Sequence, residues 1–211
     1  RKRYLQLLET KEMIEDLINR SYKIGMTQER FEVTEFAKFI LGIEPHNVLE
    51  IGCKLGGTFN ILCELSTGKK ISVDLPGGIH GGWMMKGHPY MGDVFMDRNS
   101  FFNMRYPDVS MITGNSHETD TLNQVEDALA GEQVDLLFID GDHTYEGVKQ
   151  DYEDYKQFVK PGGWIAFHDI NDTEHHREID VYVGKLWNEL EGNKIEFNVN
   201  KHWAGIGVIQ V

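Results

Sequence analysis

Apolar residues in this chain fall into two kinds of run. Short ones, each with at most one polar residue, at 48–51 (VLEI), 71–73 (ISV), 134–139 (VDLLFI) and 164–167 (WIAF), have the pattern of strands buried on both faces of a parallel sheet. Longer ones recur at helical spacing. Tyr4, Leu7, Leu8, Ile14, Leu17 and Ile18 predict one amphipathic helix; Val33, Phe36, Ala37 and Ile40 predict a second over 29–41, with Thr27 as its cap. Leu122, Val125, Ala128 and Leu129 mark a helix over 119–129. Val148, Tyr152, Tyr155 and Val159 mark another, stopped by Pro161-Gly162-Gly163. Further strands are expected at 70–75 and 109–113, a helix at 179–190, and a closing antiparallel pair at 195–199 and 205–211. Alternating strands and helices of this kind make an α/β fold, a seven-stranded and mostly parallel sheet with helices on both faces and a C-terminal antiparallel strand pair.

Length adds that the 211 residues can form one self-sufficient domain, burying about 70 % of the unfolded surface. Within it, 1–45 reads as helices that cover the sheet and active site. Residues 46–211 hold the main α/β unit, with a glycine-, histidine- and methionine-rich lid insertion at about 76–97. The formal charge of -13 argues against nucleic acid or an anionic membrane as partner and leaves a small molecule. Cys53 and Cys63 lack the spacing of a disulfide framework or zinc site. No run approaches the ~20 apolar residues of a membrane span, and none near the start suits a signal peptide, so a cytoplasmic location is expected. A homo-oligomer stays open.

The strands change from packing to chemistry at their ends. In open α/β sheets the ligand crevice lies outside the carboxyl ends of the strands. There 134–139 runs into Asp140, Asp142 and His143, and 164–167 runs into His168 and Asp169. Adjacent strand tips stand about 5 Å apart, so Asp140, His168 and Asp169 can converge as part of a metal shell. Oxygen ligands suit Mg²⁺, and a histidine shifts the preference toward Mn²⁺ or Fe²⁺. His143 could then take a proton at neutral pH. The plainer alternative is a polar turn with helix caps and a satisfied core histidine. After the first strand, Gly52, Gly56 and Gly57 allow a tight turn toward a ligand, and the next helix offers its N–H groups to an anion. The spacing is not GxGxxG, which disfavours a dinucleotide. Asp74, 24 residues past Glu50, is placed to accept ribose hydroxyls.

The segments VLEIGCKLGG, ISVDL, LLFIDGDHTYEGVKQDY and VKPGGWIAFHD, in this order, resemble class I S-adenosylmethionine-dependent methyltransferases, in their cation-dependent O-methyltransferase branch. The nearest groups in look are the macrocin and mycinamicin sugar O-methyltransferases and the cephalosporin-biosynthesis methyltransferases; catechol O-methyltransferase is more remote. The resemblance covers roughly Val48 to Asp169 and implies a Rossmann-like fold. It implies S-adenosyl-L-methionine and a divalent cation, Mg²⁺ or Mn²⁺, as cofactors, and a hydroxylated small molecule such as a sugar, phenol or catechol as acceptor. It also implies site residues. Glu50, Gly52 and Gly56 fall on the cofactor loop, Thr58 on the methionine carboxylate contact, Asp74 on the ribose acid and Ser116 at the adenine edge. Asp140 falls on the first metal carboxylate, beside the cofactor; His168 and Asp169 on the remaining metal ligands; and His143 on the general base. A carboxylate is commoner at the His168 position, which bears on the metal's identity. A metal-independent N- or O-methyltransferase, a non-catalytic nucleoside-binding protein of the same fold, and, furthest off, a nicotinamide oxidoreductase are the alternatives.

Overall fold

The computed structural model describes residues 2–75, 91–199, 201 and 203–211. Seven strands form one sheet in the order β3-β2-β1-β4-β5-β7-β6. They are β1 (Val48–Ile51), β2 (Lys70–Asp74), β3 (Val109–Thr113), β4 (Val134–Ile139), β5 (Val159–His168), β6 (Lys194–Phe197) and β7 (Ile206–Gln210). The first five pair in parallel, and β7 runs antiparallel to both β5 and β6. The expected architecture is therefore found.

Strands with apolar residues on both faces need cover on both, and both are covered. Val48, Leu136, Phe138, Ala166 and Val208 point into one core, shared with α1 (Lys2–Ile24), α2 (Arg30–Ile43) and α3 (Gly57–Glu64). Leu49, Ile51, Leu137, Ile139, Ile165 and Phe167 point into the other, shared with α5 (Thr119–Leu129), α6 (Tyr145–Tyr155) and α8 (Val183–Glu189). Each fully buried side chain of this size contributes about 1.5–3 kcal/mol against exposure. Two helices remain, α4 (Met91–Arg105), whose Phe102 joins the first core, and the short α7 (Glu174–Glu178).

Some boundaries differ from expectation for physical reasons. Thr27 does not cap α2; Glu29 holds the cap position, without a side-chain hydrogen bond. The insertion expected at 76–97 contains the first turns of α4, while 76–90 lie outside the described residues. Pro161-Gly162-Gly163 does not end α6, which stops at Tyr155 and passes through one 3-10 turn (Lys156–Phe158) into β5. Those residues sit inside β5 where its pairing with β4 slips, Val134 facing Val159 but Leu136 facing Trp164. A bulge is where a proline, with no N–H to give, is tolerated in a strand. The helix expected at 179–190 forms only as α8 from Val183, because the chain at 179–182 is not helical and Asp180 has φ 65°; α7 precedes it and was not expected.

The chain leaves β1 toward β2 and β3, then returns to place β4 on β1's other side. Loops beyond the carboxyl ends of β1 and β4 thus diverge, which opens a crevice between them.

Candidate active site

The crevice holds a cavity of about 260 Å³. Gly52, Thr58, Asp74, Ser116, Asp140, His143, His168 and Asp169 line it; Glu50 is buried in β1 outside the lining, and Gly56 packs against Phe102 at the start of α3. The strands themselves bring this set together. The Asp140 N–H donates to the Ile51 carbonyl at 2.8 Å and the Gly52 N–H to Val73 at 2.9 Å, tying three strand tips into one rim. Gly52 has φ 86°, and a Cβ there would stand 2.0 Å from the Asp140 carbonyl oxygen, so glycine alone fits.

On the β4–β5 side two carboxylates and two imidazoles interlock. His143 Nε2 lies 3.1 Å from Asp140 Oδ1, and its Nδ1 lies 3.2 Å from Asp169 Oδ2. His168 Nδ1 lies 3.2 Å from Asp140 Oδ1 and 3.4 Å from Asp169 Oδ2, yet outside hydrogen-bond directions; both its ring nitrogens are buried with no hydrogen-bond partner. Asp169 reaches this position through a left-handed backbone, φ 60°. Gln28, between α1 and α2, donates from Nε2 to Asp140 Oδ2 at 2.8 Å.

Electrostatics follow from these contacts. Burial works to raise the Asp140 pKa, but the His168 charge and the His143 hydrogen bond outweigh it and hold it at about 2. Asp169 is held well below the usual carboxylate range, its burial outweighed first by the same His168 charge. Burial works to lower both histidines; hydrogen bonding to the two carboxylates carries His143 up to about 10, and their charge carries His168 well above its ordinary value.

The β1–β2 side is built differently. Asp74 Oδ2 accepts from the Lys54 backbone N–H at 2.6 Å and from Arg98 Nη1 at 2.7 Å. Burial still leaves the Asp74 pKa somewhat raised against the Arg98 charge. Glu50 is 1 % exposed, and neither of its carboxylate oxygens has a hydrogen-bond partner. Burial first, then the charges of Asp140 and Asp74, push its pKa well up. Ser116 is pinned at the tip of β3, its carbonyl accepting from Tyr155 Oη at 2.9 Å. His117 beside it lines the cavity 3.3 Å from the buried Asp151.

Asp140, His143 and Asp169 each bring one ligand atom within 4.8 Å of the others, and His168 Nδ1 adjoins the same oxygens. Two carboxylates, Asp169 buried and Asp140 half-buried, with an imidazole whose nitrogens have no hydrogen-bond partner, fit a divalent cation. Sequence reasoning missed Gln28, Arg98, His117 and His176. Gln28 comes from the connection between α1 and α2 and Arg98 from α4, and neither residue type carried a local signal. His117 directly follows an expected site residue, and His176 lies eight residues past His168.

Residues 49–170 match a family model described as a methyltransferase domain. The O-methyltransferase from Bacillus cereus, in complex with SAH, has a similar structure, with TM-score 0.62 and 16 % identity, over 95 % of this chain and 90 % of that one. The O-methyltransferase TomG from Streptomyces achromogenes, in complex with SAM, also gives TM-score 0.62, at 12 % identity, over 91 % and 87 %. At these identities the likeness is one of fold. The uncharacterized protein y4gI of Sinorhizobium fredii is 24 % identical over 173 residues, 79 % of this chain. The chain spans less than a third of the length of the curated relatives it matches, 17 % in that case. Among the described residues, no helix is long and apolar enough to cross a membrane.

Proposed function

Since the chain belongs to the methyltransferase-domain family, we propose that it transfers the methyl group of S-adenosylmethionine to a hydroxyl of a small molecule, assisted by a divalent cation. The observation that carries this reading is the convergence of Asp140 and Asp169 on His143 and His168 at the rim of the cavity that also holds Thr58 and Asp74. S-adenosylmethionine supplies a methyl carbon whose bond to sulfur breaks as the acceptor oxygen attacks it.

Each residue has work suited to its place. Gly52 lets the backbone approach the donor, and Thr58 offers a hydroxyl to its carboxylate. Asp74, oriented by Lys54 and Arg98, accepts the ribose hydroxyls, and Ser116 lies at the adenine edge. Glu50 and Gly56 act from behind, one as a buried acid in β1 and one as the turn into α3. Asp140, His168 and Asp169 would hold the cation, which would supply Lewis-acid polarisation of the acceptor hydroxyl. His143 takes the acceptor's proton. In the structure both its ring nitrogens face carboxylates, so it becomes a proton acceptor only when Asp140 and Asp169 no longer demand its charge.

Calorimetry with S-adenosylmethionine, followed by methyl transfer to a panel of diols, catechols and sugars with and without EDTA, tests the reading. Donor binding with turnover that EDTA abolishes is expected. A second reading, metal-independent transfer to oxygen or nitrogen, draws on the charge balance of two carboxylates against two imidazoles; turnover that survives EDTA would establish it. Donor binding without turnover on any acceptor would point to a non-catalytic nucleoside-binding protein.

A further inference from the structure

Asp169 has a second carboxylate oxygen that the His143–His168 cluster leaves unused. Its Oδ1 faces Nε2 of His176 at 4.0 Å, too far for a hydrogen bond. His176 is 1 % exposed, lies in α7, and has its backbone N–H fixed by Thr173 Oγ1 at 3.1 Å. Its Nδ1 lies 2.5 Å from the Asn171 carbonyl oxygen. A carbonyl can only accept, so Nδ1 carries the hydrogen and the neutral ring keeps its lone pair on Nε2, within the cavity that His176 lines. Trp203 packs on the ring at 5.4 Å between centroids, which holds its orientation.

An imidazole whose outer N–H is fixed by a backbone carbonyl and whose inner lone pair stands beside a carboxylate has the outer-shell support that orients metal-binding histidines. Two atoms each about 2.1 Å from one ion lie at most about 4.2 Å apart. The 4.0 Å between His176 Nε2 and Asp169 Oδ1 falls inside that limit. Independently, the two ring nitrogens of His168 are buried without hydrogen-bond partners, and its Nδ1 lies 3.4 Å from the other oxygen of the same carboxylate, Asp169 Oδ2.

We propose that His176 Nε2 is a further ligand of the cation, and that with His168 it makes a nitrogen-bearing centre that takes a first-row transition ion such as Mn²⁺ or Zn²⁺ in preference to Mg²⁺. This rests on the cation reading above. It is tested on the metal-free full chain, without acceptor or donor, by titrating Mn²⁺ and Mg²⁺ calorimetrically into wild type, His176→Gln and Asp140→Asn. Expected are Mn²⁺ binding at least ~10-fold tighter than Mg²⁺, and a ~10–100-fold loss of Mn²⁺ affinity in His176→Gln with a smaller change for Mg²⁺. If His176→Gln binds Mn²⁺ like wild type while Asp140→Asn does not bind it, the inference falls and the cation reading stands. If wild type binds neither ion, both fall together. Should His176→Gln fail to fold, the ¹⁵N imidazole resonances of the unaltered chain decide. A His176 Nε2 resonance that shifts on saturation with Zn²⁺ supports the ligand, and one that stays in place overturns it.

Discussion

The two sides of the crevice set the same kind of group, a carboxylate at the carboxyl end of a parallel strand, in opposite electrostatic states. At β4 and β5, Asp140 and Asp169 face His143 and His168 and are held below the ordinary carboxylate range. At β1 and β2, Glu50 has no hydrogen-bond partner and Asp74 faces one guanidinium, and both are raised. Depth does not separate them, since Glu50 is 1 % and Asp169 7 % exposed. Partners do: imidazoles within about 3.5 Å outweigh desolvation at Asp140 and Asp169, whereas the Arg98 charge does not outweigh it at Glu50. One side therefore keeps two carboxylates ionised against two imidazoles, an ion cluster whose positive members a cation would have to displace. The other is kept nearer neutrality, as suits hydroxyls and a zwitterionic ligand.

Removing the anion from the charged side has the largest expected effect. In metal-free protein, Asp140→Asn leaves His143 and His168 short of a partner, a loss of about 3–5 kcal/mol for a broken buried pair. At about 2–4 °C per kcal/mol for a chain of this size, the melting temperature falls by roughly 6–20 °C. The sign depends on pH. Asp140 is depressed, so its contribution is present above its unfolded value and fades as pH falls toward about 2. His143 is raised, so its contribution is complete below its unfolded value and is lost as pH climbs to about 10. The gap between wild type and variant should be widest between about pH 4 and 6.5. A gap of constant size from pH 3 to 10, read by calorimetric melting, would break the contrast.

Gly52 joins the two sides, and Gly52→Ala is next in size. The left-handed backbone costs an alanine about 1–2 kcal/mol, and relieving its 2.0 Å approach to the Asp140 carbonyl adds to that. A total of about 2–4 kcal/mol is expected, together with weakened S-adenosylmethionine binding. Denaturant unfolding and donor calorimetry on the same variant check it; unimpaired donor binding would mean that the rim is not where the donor sits.

The residues in these two tests were legible because hydrophobic pattern locates strand tips, and parallel order then sets Asp140 beside His168 and Asp169. Gly52 was legible for the same reason, as the first residue past a buried strand. Gln28 was not: it reaches Asp140 from 112 residues away, and nothing in its neighbourhood marks a loop side chain that crosses the crevice. Arg98 was hidden by a different route, since it directly follows the expected insertion and its charge reads as a solvated one, yet it is buried against Asp74. His176 sits in the short helix that the periodicity from Ile179 onward obscured.

On the β1–β2 side the sign reverses. A raised carboxylate withdraws stability as pH climbs above its unfolded value, because the folded state resists ionisation. Glu50→Gln removes that penalty, so the metal-free variant should be more stable than wild type by about 2 kcal/mol at pH 8, with the two converging near pH 4. Chemical denaturation at both pH values checks this. A destabilised variant at pH 8 would mean that Glu50 has a partner, and the contrast between the two sides would lose one of its terms.

The smallest expected effect probes how Asp140 is aimed. Gln28 gives Asp140 Oδ2 an N–H at 2.8 Å, and its own Oε1 accepts from the Thr27 backbone N–H at 3.2 Å, so the amide is fixed at both ends. A hydrogen bond to a carboxylate is worth about 1.5–3 kcal/mol when buried, but this one borders a cavity that water can enter. Gln28→Ala should therefore cost about 1 kcal/mol. The Asp140 pKa should rise from about 2, because the ionised form loses a donor. Carbon-detected NMR titration of the Asp140 carboxyl reads this directly. If the pKa stays put while stability drops, Gln28 serves the α1–α2 turn rather than the carboxylate, and the charge on that side is set by the histidines alone.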